Sequence, residues 1–435
     1  MMPKRWLSAL AMICVTAGIA AAQPADTGSP ATCGTIRVGL SRAFGGVNQI
    51  TVLASSDYTV AAIPSNGSPV SCTNLEPVTI SAGAKTMTLK RPNGVTADIG
   101  ASVCILPTDP AGTLIVDSPR RSGRQYYGTL EVSLKSGCLS LVNRVGVDDY
   151  LVGVLAGEMP SSYPLEALKA QAVAARNYAL QSLGKHSSSG YDLCDGPHCQ
   201  VYDGALRETA ILRQAVLTTA NQVLTYDGKL ASTMYCSDCG GVTECYREAN
   251  KDDAPYLATV VEPSEIAHGA WKKTYTLDDL SARLLAAGIK QADGLQRVSV
   301  AKTSSSGRAL IVSCAGTKGT FTIDGARLRT ILGRDALRST LFSIDSSQSG
   351  TITFSGKGSG HGVGLCQIGA KALASPPFNY TFDQILAHYY PGTKLTGDEV
   401  RIDPPRKSAQ SGNATKPAQK SQGAALAVRV VAPRL

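Results

Sequence analysis

The residue with the clearest chemical prospect is Glu158, in the run VDDYLVGVLAGEMPSSYPLEALKAQAVAARNYAL from Val147 to Leu180. Tyr150, Leu151, Val154 and Leu155 recur at helical spacing, and Pro160 stops that helix just after Glu158 and Met159. Pro164 opens a second helix with Glu166 in its first turn. Leu165, Leu168, Ala172 and Val173 form its apolar stripe, while Lys169, Gln171, Arg176 and Asn177 add polar groups. A carboxylate at a helix C-terminus faces the negative end of the peptide dipoles, so its charged form is disfavoured. Partial burial acts in the same direction. A carboxyl group that keeps its proton near neutral pH is suited to general acid catalysis.

Thiols and imidazoles gather further on. In LCDGPHCQVYDG, Cys194, His198 and Cys199 share a loop, and Cys239 follows in YCSDCGGVTECYRE. Zinc takes such ligands tetrahedrally, so these four residues form a candidate structural site, with His186 as a spare. The alternative is a disulfide, Cys194–Cys199 or either with Cys239; an oxidising compartment would favour the disulfide, and the clustered His–Cys pair favours metal. A third motif, GKGSGHGVGLCQIGA, lacks the G-x-G-x-x-G spacing of a dinucleotide site and the G-x-S-x-G elbow of a serine hydrolase. Its glycines let backbone approach a ligand closely, with His361 and Gln367 as hydrogen-bonding groups. His388 reads as a helix-packing residue, His268 has no partner in view, and Trp271 is a candidate platform for stacking a sugar.

The Glu158 segment resembles the signature of the SpoIID/LytB family. The residues that carry the resemblance are Asp149, Tyr150, Leu151, Gly153, Val154, Glu158, Met159, Pro160, the run from Glu166 to Ala172, Ala175 and Arg176. Cys199, Gln200 and Tyr202 match its cysteine–glutamine–tyrosine segment. Ser237, Gly240, Gly241, Thr243 and Glu244 match a second, and the Gly-His-Gly run around His361 and Gln367 a third. Cys236 and Cys245 are surplus to that pattern. The resemblance implies a peptidoglycan lytic transglycosylase that cleaves the MurNAc–GlcNAc β-1,4 bond, with Glu158 as its single acid/base. It implies a substrate groove lined by Lys169, Gln171, Arg176, Tyr178, Gln200, Tyr202, Ser237, Thr243, His361 and Gln367. The chemistry needs no cofactor, although some members of the family bind zinc near the loop corresponding to Cys194–Cys199. One carboxylate suffices where an ordinary glycosidase uses two, though Asp148, Asp149, Glu166 and Glu244 are further acids in the matched segments. Part of the family consists of amidase enhancers, so a non-catalytic wall-binding modulator of a peptidoglycan amidase is the alternative.

The ends and composition set the context. Lys4 and Arg5 precede an apolar run ending in small residues, the pattern of a signal peptide over 1–22, with a linker over 23–33. No later segment is apolar enough to span a bilayer, so the expected location is the periplasm or cell envelope. A net charge of +9 with only 17% charged residues fits an acidic wall polymer, and export argues against nucleic acid. Of 12 cysteines, Cys33, Cys72, Cys104 and Cys138 are expected to form two disulfides. The predicted fold class is α+β with mixed sheets: a β-rich part over 34–140, a catalytic region over 141–395, and a disordered basic tail over 396–435.

Overall fold

The computed structural model describes residues 34–397, apart from 64–69, 74, 248–253, 347 and 349. The expected signal peptide and linker, and the tail beyond residue 397, lie outside the described residues. The fold is mixed α+β and rich in strands. Alternation of apolar and polar residues builds two sheets in the N-terminal part. Along Gln49–Ala54, for instance, Ile50, Val52 and Ala54 point inward while the residues between them do not. One sheet runs in the order Leu193–Cys194, Thr35–Gly39, Cys138–Gly146, Thr129–Lys135, Ser102–Pro107, Tyr58–Ala62, Val70–Cys72. The other runs Arg121–Tyr127, Thr113–Ser118, Gln49–Ala54, Val78–Ala82, Met87–Lys90, Thr96–Asp98. Their buried residues join one core with the helices that follow, and each buried Val, Leu or Ile contributes about 1.5–3 kcal/mol relative to exposure.

The short helix α1 (Ser41–Phe44) follows the first strand. The strand Cys138–Gly146 passes directly into helix α2 (Val147–Glu158), whose residues Tyr150–Ala156 are all buried. Pro160 prevents its continuation. Helix α3 (Leu165–Gln181) then crosses the core, followed by α4 (Ala210–Leu217). The sheet edge matters for the site: Leu193–Cys194 pairs in parallel with Val38–Gly39, which hangs the following loop from the first strand.

A second hydrophobic core, from Tyr275 to Phe354, lies within the region predicted as continuous from 141 to 395. Strands Ala270–Thr276 and Thr351–Lys357 pair along their whole length and close this lobe at its neck. Its turn at Ser304–Arg308 plugs into the main body. There Ser304 and Ser306 hydroxyls donate to Glu244 Oε2 at 2.7 and 2.9 Å, and Arg308 Nη1 donates to the Val242 carbonyl at 2.9 Å.

The two disulfides expected in the N-terminal part are corrected by strand register. Cys33 is outside the described residues, so any pairing of the four must join two of Cys72, Cys104 and Cys138. Cys72 lies opposite Tyr58 and Cys104 opposite Ala61, three positions apart on one strand and therefore on opposite faces. Cys104 and Cys138 sit on strands that flank a third, two spacings of about 4.8 Å, beyond the ~7 Å reach of a disulfide. Cys72 and Cys138 are further apart still in the strand order. All three are free thiols.

Candidate active site and its loop

Glu158 is the last residue of α2 and lines a cleft of about 440 Å³ with Gly157, Pro160, Ser161, Ser162 and Arg207. The Val201 N–H donates to Glu158 Oε1 at 2.8 Å. Burial, the largest influence, raises the Glu158 carboxyl above the ordinary carboxylate range. The Val201 hydrogen bond and Arg42 pull it back, and Asp203 pushes it up. The outcome is an acid that holds its proton closer to neutral pH while facing an open cleft.

The segment that reaches Glu158 is anchored residue by residue. Gln200 Oε1 accepts from the Tyr150 hydroxyl at 3.0 Å, and its Nε2 donates to the Tyr235 hydroxyl at 2.9 Å. Tyr202, fully buried, donates to Asn143 Oδ1 at 2.7 Å. Gly153 and Gly157, one helical turn apart on α2, admit this segment. A Cβ on Gly153 would sit 2.5 Å from the Tyr202 ring, and one on Gly157 would sit 2.5 Å from the Val201 carbonyl oxygen.

Upstream, donor atoms of His186, Cys194, His198 and Cys199 all lie within 4.8 Å of one another. His186 Nε2 is 3.3 Å from Cys199 Sγ, and His198 Nδ1 is 3.7 Å from both Cys194 Sγ and Cys199 Sγ. Two thiols and two imidazoles at such separations suit tetrahedral zinc, whose bonds of about 2.0–2.3 Å put neighbouring ligand atoms 3–4 Å apart. This corrects the ligand set expected from sequence. His186 is the fourth member, whereas Cys239 lies in a different cluster with Glu262, His268 and Cys366.

Several residues expected in the groove belong to the scaffold, because they are buried and turned into the body. Arg176 is 2% exposed and donates to the carbonyls of Thr219 and Gln222 and to Asp148. Gln171 and Thr243 are fully buried; Thr243 Oγ1 donates to the Ala258 carbonyl and accepts from Val260 N–H. Gln200 and Tyr202 support the loop from inside. Gln367 is buried in the first turn of the helix Gln367–Leu373. Lys169 pairs with Glu166 at 2.7 Å and lies over the Phe382 ring, against the last helix. Tyr178 is half-buried with its hydroxyl accepting from Lys185 Nζ, Ser237 is exposed, and His361 is exposed with Nδ1 accepting from Val363 N–H at 3.0 Å. Trp271 stands at the neck of the lobe, over Gly356.

The cleft also has residues that no local pattern announces. Asp203 accepts from Arg42, Arg124 and Arg207. Although burial opposes its charge, Arg207 and Arg42 hold Asp203 below the ordinary carboxylate range. Three guanidinium groups thus converge on one carboxylate near Glu158, with Asp195 a second carboxylate against the Arg42 backbone. Arg42 comes from α1, over a hundred positions earlier in the chain, and only the sheet edge brings it here.

A helix-terminal acid, a thiol–imidazole loop beside it and a Gly-His-Gly turn, carried on a strand-rich α+β body, define the class. Residues 135–226 match the family described as "Stage II sporulation protein" and residues 248–364 match "Domain of unknown function (DUF8618)". The chain is 30% identical to the stage II sporulation protein D of Bacillus subtilis over 273 residues, 59% of this chain and 76% of that protein. It is 32% identical to an uncharacterized protein of Brachyspira hyodysenteriae over 276 residues, 63% of this chain and 73% of that one. It is also 32% identical to the amidase enhancer of Bacillus subtilis over 325 residues, 63% of this chain but only 44% of that protein. The chain belongs to the stage II sporulation protein D family.

Proposed function

We propose that the protein is exported and acts on peptidoglycan glycan strands as a lytic transglycosylase. The observation that carries this reading is Glu158: a desolvated carboxyl group at a helix end, opening into a cleft whose walls carry arginine. Glu158 gives its proton to the oxygen linking MurNAc C1 to the next GlcNAc, and that bond breaks. The resulting carboxylate then removes the proton of the MurNAc C6 hydroxyl, whose oxygen closes onto C1 to give a 1,6-anhydro ring. The proton count returns to its start, and no water is consumed. The other acids of the matched segments are engaged elsewhere, which supports a single-acid mechanism: Asp148 with Arg176, Asp149 with Arg213, Glu166 with Lys169 and Glu244 with the lobe serines. Arg207, exposed at the cleft, suits the carboxylates of a wall polymer.

The loop donors His186, Cys194, His198 and Cys199 would hold a zinc ion with no position left open for substrate. Such an ion would lock the loop structurally; what reaches the chemistry is the Val201 N–H, two residues beyond Cys199. None of the described helices is long and apolar enough to cross a membrane.

Glycan strands stripped of stem peptides, incubated with the purified protein, provide the test. The expected products carry 1,6-anhydro-MurNAc ends and vanish with Glu158→Gln. Ordinary reducing ends would mean hydrolysis and would overturn the single-acid route. The likeness to an amidase enhancer gives the second reading. If no glycan product forms while a peptidoglycan amidase is stimulated equally by wild type and Glu158→Gln, the protein is a modulator.

A further inference from the structure

The second cluster, Cys239, Glu262, His268 and Cys366, has no part in the reaction proposed above. It lies under the glycine-rich turn, where strands Tyr235–Cys236 and Leu365–Cys366 pair in parallel with Cys236 opposite Cys366. That pairing brings the Cys236–Gly241 loop to the start of the helix Gln367–Leu373. The segment leading into the lobe adds Glu262 and His268. One donor atom from each of the four residues lies within 4.8 Å of the other three.

The hydrogen bonds around the cluster hold its outer atoms and turn the others toward one another. His268 Nδ1 is 2.6 Å from Asp238 Oδ1, and Asp238 also accepts from the N–H groups of Gly240 and Gly269. The carboxylate therefore accepts the Nδ1–H hydrogen bond and leaves Nε2 facing inward. Nε2 faces Glu262 Oε2 at 2.9 Å, an ion pair when the ring is protonated, and among the described residues neither atom has another partner, although the Glu262 side chain is fully buried and that of His268 is 7% exposed. With the ring neutral, a lone pair held against a buried carboxylate oxygen needs a cation between them, and a metal ion can take the place of the proton that otherwise bridges this pair. The other Glu262 oxygen is held by the Tyr389 hydroxyl. Cys366 Sγ accepts from the N–H groups of Cys239 at 3.2 Å and Gly369 at 3.3 Å, contacts that favour its thiolate.

We propose that Cys239, Glu262, His268 and Cys366 bind a zinc ion as a closed four-ligand structural site, distinct from the loop donors near Glu158. Thiolate, imidazole and carboxylate are the donors zinc takes. Three of the four carry the outer hydrogen bond that fixes a metal ligand's orientation: Asp238 on His268, Tyr389 on Glu262, and two backbone N–H groups on Cys366. Two thiolates and a carboxylate outweigh the charge of Zn²⁺, and the buried Arg308, which donates to the Cys239 carbonyl, offsets the excess. The site ties together the loop after Cys236, the entry to the lobe and the Gly-His-Gly turn.

The test is zinc content of the full-length protein by mass spectrometry, combined with non-reducing peptide mapping of its thiols. Cys199→Ser, which damages only the loop donors, is expected to retain one zinc per chain, held with Cys239 and Cys366 unbridged. His268→Gln in that background is expected to lose it. Cobalt offered to Cys199→Ser should give thiolate-to-cobalt charge-transfer absorption that disappears with Cys366→Ser. Should the Cys366 or His268 variants not fold, the zinc content and thiol state of Cys199→Ser still decide. No zinc in that variant, zinc that survives His268→Gln, or recovery of Cys239 and Cys366 as a disulfide each overturns the site.

Discussion

The two donor clusters differ in enclosure and in what depends on them. The loop set lies within residues 186–199, with His198 exposed and only Cys194 buried. Its neighbours in the chain, Gln200 to Asp203, are the ones that meet Glu158 and its arginines. The inner set buries three of its four members and draws them from residues 239–366. It joins segments that sequence keeps far apart. On the readings proposed above, the first arrangement would set the position of one N–H beside the acid, and the second would hold a lobe, a loop and a glycine turn together. Damage to the loop set should therefore appear in turnover, and damage to the inner set in stability.

The largest effect sets the scale for that contrast. Glu158→Gln keeps an oxygen for the Val201 N–H but cannot donate a proton, so the rate of anhydro-product formation should fall by roughly 10²–10⁴. Wild-type turnover in this variant would remove the acid from the mechanism. Next comes the loop. Cys199→Ser, which removes one of the loop donors, should lower kcat by at least the roughly 10–100-fold typical of disturbing a ligand's outer partners, with a modest change in melting temperature. Cys366→Ser should reverse the pattern, with a large drop in melting temperature. The comparison breaks if the loop variant unfolds and the inner one only slows.

Gly157→Ala sharpens the link between loop and acid. Its Cβ would press on the Val201 carbonyl oxygen at 2.5 Å, so the segment must shift. Overpacking of this kind costs about 1–3 kcal/mol, measurable by urea denaturation. The sign of the catalytic effect follows from the hydrogen bond. Val201 lowers the Glu158 pKa, so losing it raises that pKa further and keeps the acid protonated to higher pH. The alkaline limb of kcat/KM should move upward, whereas a purely structural defect would lower activity at every pH without moving the limb.

What could be read from sequence tracks how local the cause is. Glu158 at a helix end was legible because Pro160 and the apolar spacing sit within a few residues of it. Three of the loop donors were legible by their short spacing. Cys239 belongs with the inner cluster because of the Cys236–Cys366 pairing, which spans 130 positions of chain and is encoded by nothing local. Arg42 stayed hidden for the same reason. Arg176, Tyr202 and Thr243 show a different failure: a family motif marks residues a fold needs, and polar side chains inside it can serve as internal bonds, Arg176 and Thr243 to backbone and Tyr202 to Asn143. The strands and helices of the lobe were recognisable one by one. Its separateness was not, because that depends on Ala270–Thr276 finding Thr351–Lys357 across the whole insertion.

The smallest effect isolates the burial of the acid from its chemistry. The folded Glu158 binds its proton more tightly than the unfolded chain does, so between the two pKa values folding takes up protons. The stability tied to this group is therefore fully present below the unfolded pKa and lost as pH rises through the folded one. Glu158→Gln has no such titration. It should match wild type in urea denaturation at about pH 4 and exceed it by about pH 8, since every other titrating group is common to both proteins. The inner cluster gives the contrast: Glu262→Gln removes a carboxylate that is buried but partnered, and it should destabilise at both pH values. A stability difference between Glu158→Gln and wild type that stays constant across this range would show that the carboxyl at the end of α2 is not desolvated. The physical basis for its role as an acid would then be gone.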